Sequence, residues 1–164
     1  MDYIIYEDTP QYSHWYIAIR ALFLLSIAAI TIPALISGTK DTQLWAGIFL
    51  IMGLFMGIAI WARLPRKYLI FDNRLKIAMG GPFSTTVPFE SIETAGEATD
   101  EDFRSSGGFT TGHSRKNAVL IIRRLESATI ITPSNRALFL EHLNKALSEW
   151  KNKMEVSTEA DRGG

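Results

Sequence analysis

The chain contains no cysteine. That excludes disulfides, thiolate metal sites and a cysteine nucleophile, and leaves the redox compartment open. It also lacks any imbalance of charge: 17 Lys and Arg stand against 17 Asp and Glu. With no basic field to gather phosphates, nucleic-acid binding is not expected. The pairs Arg115-Lys116 and Arg123-Arg124 read as solvated strand ends, because no stacking aromatics share their strand. Catalytic patterns are missing too. His14, His113 and His142 are isolated, with no partner at ligand spacing, and His142 reads as a surface residue. Asp100-Glu101-Asp102 lacks the alternating spacing and turn glycine of a calcium loop. Gly107, Gly108 and Gly112 lack the strand–loop–helix context and the lysine of a phosphate loop, and no G-x-S-x-G is present. These absences point away from an enzyme, and no metal or cofactor is expected.

What the chain does have is a concentration of apolar residues near its start. Hydrophobic residues make up 47% of the sequence, and they are densest in two runs. Trp15 to Ile36 is long enough for a helix of about 33 Å, and Leu44 to Trp61 for one of about 27 Å, each matched to a hydrocarbon layer of about 30 Å. Arg20 is the only charge inside either run. A helix apolar on every face would need a larger soluble core than this chain can build. The expectation is a transmembrane helical hairpin over 15–64, with spans 15–36 and 44–62. A cleaved signal peptide is not expected, since acidic residues precede the first run and it exceeds a signal's apolar core.

Residues 1–14 read as a short lead-in whose Tyr12, with Trp15 and Tyr16, forms an interfacial aromatic belt; Trp45 and Trp61 mark the second span in the same way. Pro33 is expected to bend the last turn of the first span. The turn Gly38 to Gln43 is short enough to make the two helices antiparallel neighbours. Gly47, Gly53 and Gly57 offer bare backbone for close helix packing, with the Ala21, Ala28 and Ala29 side of the first span as the expected partner surface. The same motif also suits dimerisation of two copies, but packing within the chain is the favoured expectation. Arg20 reads as a snorkelling cation, or as half of an ion pair with an acidic partner subunit. Arg63, Arg66 and Lys67 follow the second span, whereas the hairpin turn holds only Lys40. The positive-inside rule then places both termini, and the domain after the hairpin, at the cytoplasmic face of the membrane.

From Lys67 the periodicity becomes strand-like. Lys67 to Phe71, an Asp72-Asn73 turn, and Arg74 to Met79 with Leu75, Ile77 and Met79 on one face predict a β-hairpin. Gly80-Gly81-Pro82 is a second turn. Ser84 to Val87 is a third strand, Phe89 to Ile92 a single helical turn or bend, and Glu93 to Thr99 a fourth strand. Asp100 to Ser114 shows no periodicity and is read as a functional or disordered loop, with Phe103, Arg104 and Phe109 as candidate interaction residues. Asn117 to Arg124 and Ala128 to Thr132 predict a hairpin across Leu125 to Ser127. Thr132 is the expected N-cap of a helix opened by Pro133, whose apolar face carries Leu138, Phe139, Leu143, Ala146, Leu147 and Trp150. Residues 155–164 are expected to be a disordered tail.

Three stretches carry a resemblance. KYLIFDNRLKIAMGGPFSTTVPFESIE, the AVLII strand and ITPSNRALFLEHL together resemble the bacterial pleckstrin-homology-like (PH-like) domains that accompany small membrane hairpins. The corners concerned are Val87-Pro88-Phe89-Glu90-Ser91-Ile92 and Ile131-Thr132-Pro133, and the likeness covers about 65–145. It implies an α+β domain over 65–154, an antiparallel β-sandwich or partly open barrel capped by a C-terminal helix. The phosphoinositide-gripping members have a basic loop between their first two strands. Here the turn is Asp72-Asn73-Arg74, so that ligand is not expected. Membrane lipids remain partners through Arg63, Arg66 and Lys67, each worth about 1 kcal/mol near anionic headgroups. The functional expectation is a membrane-anchored protein-interaction module. The alternatives are an accessory subunit or assembly factor docking through its hairpin, and a sensor of anionic lipid.

Overall fold

The computed structural model describes residues 3–105, 110–111, 115–124 and 128–162. The chain forms two compact units, Tyr12–Leu64 on its own and Met1–Gln11 together with Pro65–Gly164. The second unit begins with strand β1 (Ile4–Asp8) before the chain enters the first.

The inserted unit is two helices, α1 (His14–Ser37) and α2 (Lys40–Ala62), both long and apolar enough to cross a membrane. Scarcely any of either apolar window is buried within the protein. The connection is shorter than the expected Gly38–Gln43 turn. Thr39 caps α2, its hydroxyl oxygen accepting from the Thr42 N–H at 3.4 Å, so the helix absorbs Lys40 to Gln43. Helix α1 continues through Pro33 to Ser37.

The other unit contains two four-stranded sheets. The first has the order β1-β2-β3-β4, from β2 (Pro65–Phe71), β3 (Arg74–Met79) and β4 (Ser84–Pro88), with every neighbour antiparallel. A 3-10 turn at Phe89–Ser91 leads into β5 (Ile92–Glu97). After α3 (Asp100–Ser105) come β6 (Thr110–Thr111), β7 (Val119–Arg123) and β8 (Thr129–Ile131). The second sheet has the order β5-β7-β8-β6, with only the β6–β8 pair parallel. Helix α4 (Arg136–Arg162) packs its apolar stripe on β1, β2 and β5. Alternation drives the core. Leu75 and Ile77 of β3 point inward and are fully buried with Tyr68, Ile70, Val87, Phe89 and Ile121, and Phe139 and Leu143 of α4 join them.

Four expectations are corrected. Residues 1–14 are more than a lead-in: Ile4–Asp8 is an edge strand of the first sheet, with Ile5 and Tyr6 packed against the core. Residues 100–105 form helix α3 rather than loop, because Thr99 and Asp102 cap each other. Asp102 Oδ2 accepts from the Thr99 N–H at 2.6 Å and its hydroxyl at 2.7 Å, while Thr99 Oγ1 accepts from the Asp102 N–H at 3.3 Å. Helix α4 starts at Arg136 with Asn135 Oδ1 accepting from the Leu138 N–H at 3.2 Å. Thr132 cannot serve as the N-cap because its carbonyl accepts from the Gln11 N–H at 2.8 Å and Pro133 pairs with Pro10. Finally, α4 runs on through 155–162 instead of ending in a disordered tail. Glu155, Glu159, Ala160 and Arg162 favour a helix there, and no glycine or proline interrupts it before Gly163.

Candidate functional site

A densely connected polar group in the sheet unit is Asp8, at the end of β1. Its side chain is only 5% exposed. Oδ1 accepts from the Thr9 N–H at 2.7 Å and the Ser134 N–H at 3.3 Å, and Oδ2 from the Asn135 N–H at 3.3 Å. The Ser134 hydroxyl donates to Oδ1 as well. Donors that would otherwise be orphaned ahead of α4 are thus satisfied by a carboxylate from the N-terminal segment, where a negative charge also suits the helix dipole. Around it, Asn117 Nδ2 donates to Gln11 Oε1 at 2.7 Å and to the Ser134 carbonyl at 3.0 Å, and the Ser134 N–H also reaches the Thr9 carbonyl at 2.9 Å. Residues 8–11 are stitched to 132–135. This clasp was missed from sequence.

Tyr6, two residues before Asp8 and on the same face, stacks on His142 of α4 with ring centroids 4.4 Å apart and planes at 14°. It meets Phe139 edge-on at 6.3 Å. Burial, and then the nearby Asp8 charge, raises the Tyr6 pKa above the ordinary tyrosine value. His142 is therefore half-buried under an aromatic ring, not the free surface residue expected. The polar groups of the clasp are engaged with one another, and they hold β1 against the segment that enters α4.

In the helical unit, the glycines divide. A Cβ on Gly53 would lie 3.0 Å from Ile27 Cγ2, and one on Gly57 3.6 Å from Leu24 Cδ2, whereas Gly47 has nothing within 4 Å. Gly53 and Gly57 thus accept large side chains of α1, and Gly47 stands outside the seam. The expected alanine surface is partly displaced: Ala28 lines a groove with Gly53 and Gly57, but Ala21 is exposed. Ridges of Leu24 and Ile27 fill the space the glycines leave, so small residues on both helices are unnecessary. On another side of the hairpin lies an apolar groove of about 480 Å³, lined by residues including Phe23, Thr31, Trp45 and Met52. The Thr31 hydroxyl is spent on the Ile27 carbonyl at 2.7 Å. Arg20 borders a smaller crevice of about 170 Å³ with Leu24, Gly57, Trp61 and Leu64.

Of the basic residues after α2, Arg63 and Arg66 are exposed and Lys67 pairs with Glu7 at 2.7 Å. That pairing bridges β2 and β1 and leaves Lys67 less charge to offer a headgroup. Among the candidate interaction residues, Phe103 lies on α3 and is half-buried. Arg104 follows it on the same helix, and Phe109 lies outside the described residues, as do the glycines 107, 108 and 112 and the turn 125–127. Hydrogen bonds from Thr99 hold the Asp102 carboxyl below the usual carboxylate range. Among the described residues no group of three or more His, Asp or Glu is placed to hold a metal. Compared with known proteins, the chain matches no family model, no curated protein and no solved structure.

Proposed function

We propose that this chain is a non-catalytic, membrane-anchored module: a PH-like domain held at the cytoplasmic face of a membrane by a two-helix hairpin and offered there to a protein partner. The observation that carries the reading is where the hairpin is inserted. It leaves β1 and returns to β2, neighbouring strands of a single sheet. Two outward-facing apolar helices inserted there suit a bilayer anchor, and a sheet unit whose strands close on both sides demands an even number of crossings. The exposed cations Arg63 and Arg66 after α2, against Lys40 alone at its start, favour the cytoplasm as the side on which the sheet unit lies. Partner binding would use a sheet edge or the surface beside α3.

A second reading has one observation in its favour. The groove beside Trp45 and Met52 would suit a helix of a larger membrane complex. Mass spectrometry of what co-purifies with the full-length protein in mild detergent separates the two. A partner that survives when the sheet unit is presented without the hairpin supports the interaction-module reading. That fragment has to retain residues 3–11, joined by a short linker to Pro65, because a fragment starting at residue 65 lacks β1. A stoichiometric membrane complex lost on Met52→Trp, which fills that groove, supports the accessory-subunit reading and overturns the first.

A further inference from the structure

Strand register identifies which end of the first sheet lies next to the hairpin along the chain. The chain leaves α2 at Ala62 and begins β2 at Pro65, a separation of at most about 10 Å. Pro65 pairs with Met79, the last residue of β3. The turn that follows, Gly80 to Phe83, is therefore at the end of the sheet where the chain arrives from the hairpin. The Asp72-Asn73 turn is at the other end, about 20 Å along the strands.

That first turn has an unusual build. Gly81 takes a φ of 70°, which a side chain would resist, and Pro82 follows it. The Met79 N–H donates to the Phe83 carbonyl at 2.9 Å, closing the loop. Phe83, next to strand β4, is left 58% exposed, while the neighbouring apolar residues of β3 and β4 turn inward. In a soluble setting, an aromatic ring at the tip of a rigid turn gains nothing from burial. At a bilayer interface the same ring finds an apolar layer, and the exposed Arg63 on the connecting stretch and Arg66 at the start of β2 would meet anionic headgroups.

We propose that the Gly80–Phe83 turn is a second membrane contact, in which Phe83 inserts into the interfacial layer of the lipid surface and docks the sheet unit against it. The proposal rests on hairpin insertion, and the occupant is lipid rather than protein. Two crossings plus an inserted ring restrict the swing of the unit more than the hairpin connections alone.

The absence of native cysteine makes the test direct. Single cysteines at Ser84, Asn73 and Leu54 of the full-length protein carry an environment-sensitive dye in phosphatidylcholine–phosphatidylglycerol vesicles. Quenching by nitroxide lipids, shallow or deep, is then measured. Leu54 reports on the hairpin itself, and deep quenching there establishes insertion. The expected result is shallow quenching at Ser84, none at Asn73, and loss of the Ser84 signal when Phe83→Ser is added. Ser84 quenching at the Asn73 level, or quenching unchanged by Phe83→Ser, overturns the proposal while leaving insertion intact. Failure at Leu54 overturns the insertion reading and the proposal with it.

Discussion

Replacing Asp8 tests whether the N-terminal segment is a working part of the sheet unit. In Asp8→Ala, the N–H groups of Thr9, Ser134 and Asn135 and the hydroxyl of Ser134 lose their acceptor. A hydrogen bond to a charged group contributes about 1.5–3 kcal/mol net, and a buried donor left unsatisfied costs about 1–3 kcal/mol. These contributions are not additive, since the Ser134 N–H keeps the Thr9 carbonyl as a second acceptor and two of the contacts are 3.3 Å long. The expected loss is about 2–4 kcal/mol for Asp8→Ala, and about 1–2 kcal/mol for Asp8→Asn, which keeps one acceptor oxygen but not the charge. Urea unfolding of the full-length protein in mild detergent gives the size of the loss. Hydrogen exchange gives its location: β1 and the stretch 132–139 should lose protection together, and the β3–β4 pair should change little. A variant within about 0.5 kcal/mol of the parent, with β1 still protected, would falsify the clasp as an energetic link.

The glycine seam predicts an order of severity. Gly53→Leu overpacks against Ile27 and should weaken the hairpin by about 1–3 kcal/mol, Gly57→Leu should cost less, and Gly47→Leu should leave the isolated hairpin unchanged; thermal unfolding in detergent ranks them, and a reversed order refutes the seam. Tyr6 has its folded-state pKa raised above the ordinary 10.0, so its contribution is complete below that value and is lost as pH rises through the folded value. Stability of the β1–α4 contact, read by exchange or by absorbance of the ionised phenol, should therefore fall on the alkaline side, and Tyr6→Phe should abolish that dependence. Asp102 behaves oppositely: its depressed pKa gives α3 a contribution present above the ordinary 3.8 and lost as pH falls through the folded value. An NMR titration should show the Thr99 amide and the Asp102 carboxyl moving together, and Asp102→Asn should remove the transition.

Much of the second unit was legible because its signals are local. Leu75, Ile77 and Met79 alternate within six residues, Gly80-Gly81-Pro82 marks its turn, and the Phe139, Leu143, Leu147 stripe repeats at helical spacing. Helix α3 was readable as well, since Thr99-x-x-Asp102 is a capping pattern, but glycine-rich neighbours drew the reading towards loop. What was not legible is non-local. Ile4-Ile5-Tyr6 is a short apolar run with no turn partner beside it; its partner strand lies beyond both helices, and nothing in a local window links them. The clasp follows the same rule, because Asp8 has value only once Ser134 and Asn135 are brought to it. The helix start shifted for this reason too: Thr132 and Pro133 look like a cap and a first turn until Gln11 and Pro10 occupy them.

This non-locality bears on how fold and anchor depend on each other. Pairing β1 with β2 means closing a loop that contains the whole of Tyr12–Leu64. For a flexible chain the entropic cost of closure grows as about (3/2)RT ln n, so length alone is not prohibitive. Two antiparallel helices with a tight connection lower it further, because the start of α1 and the end of α2 lie at the same end of the hairpin. With the hairpin inserted as proposed, closure also requires both of its ends to emerge on one side of the membrane. A chain that crossed only once would leave β1 on the wrong side, with β2 a bare sheet edge and the Ser134 and Asn135 N–H groups without their carboxylate. The clasp thus makes correct insertion a condition of a complete sheet, and an incompletely inserted chain would carry the open edge and unprotected backbone that expose a protein to proteolysis.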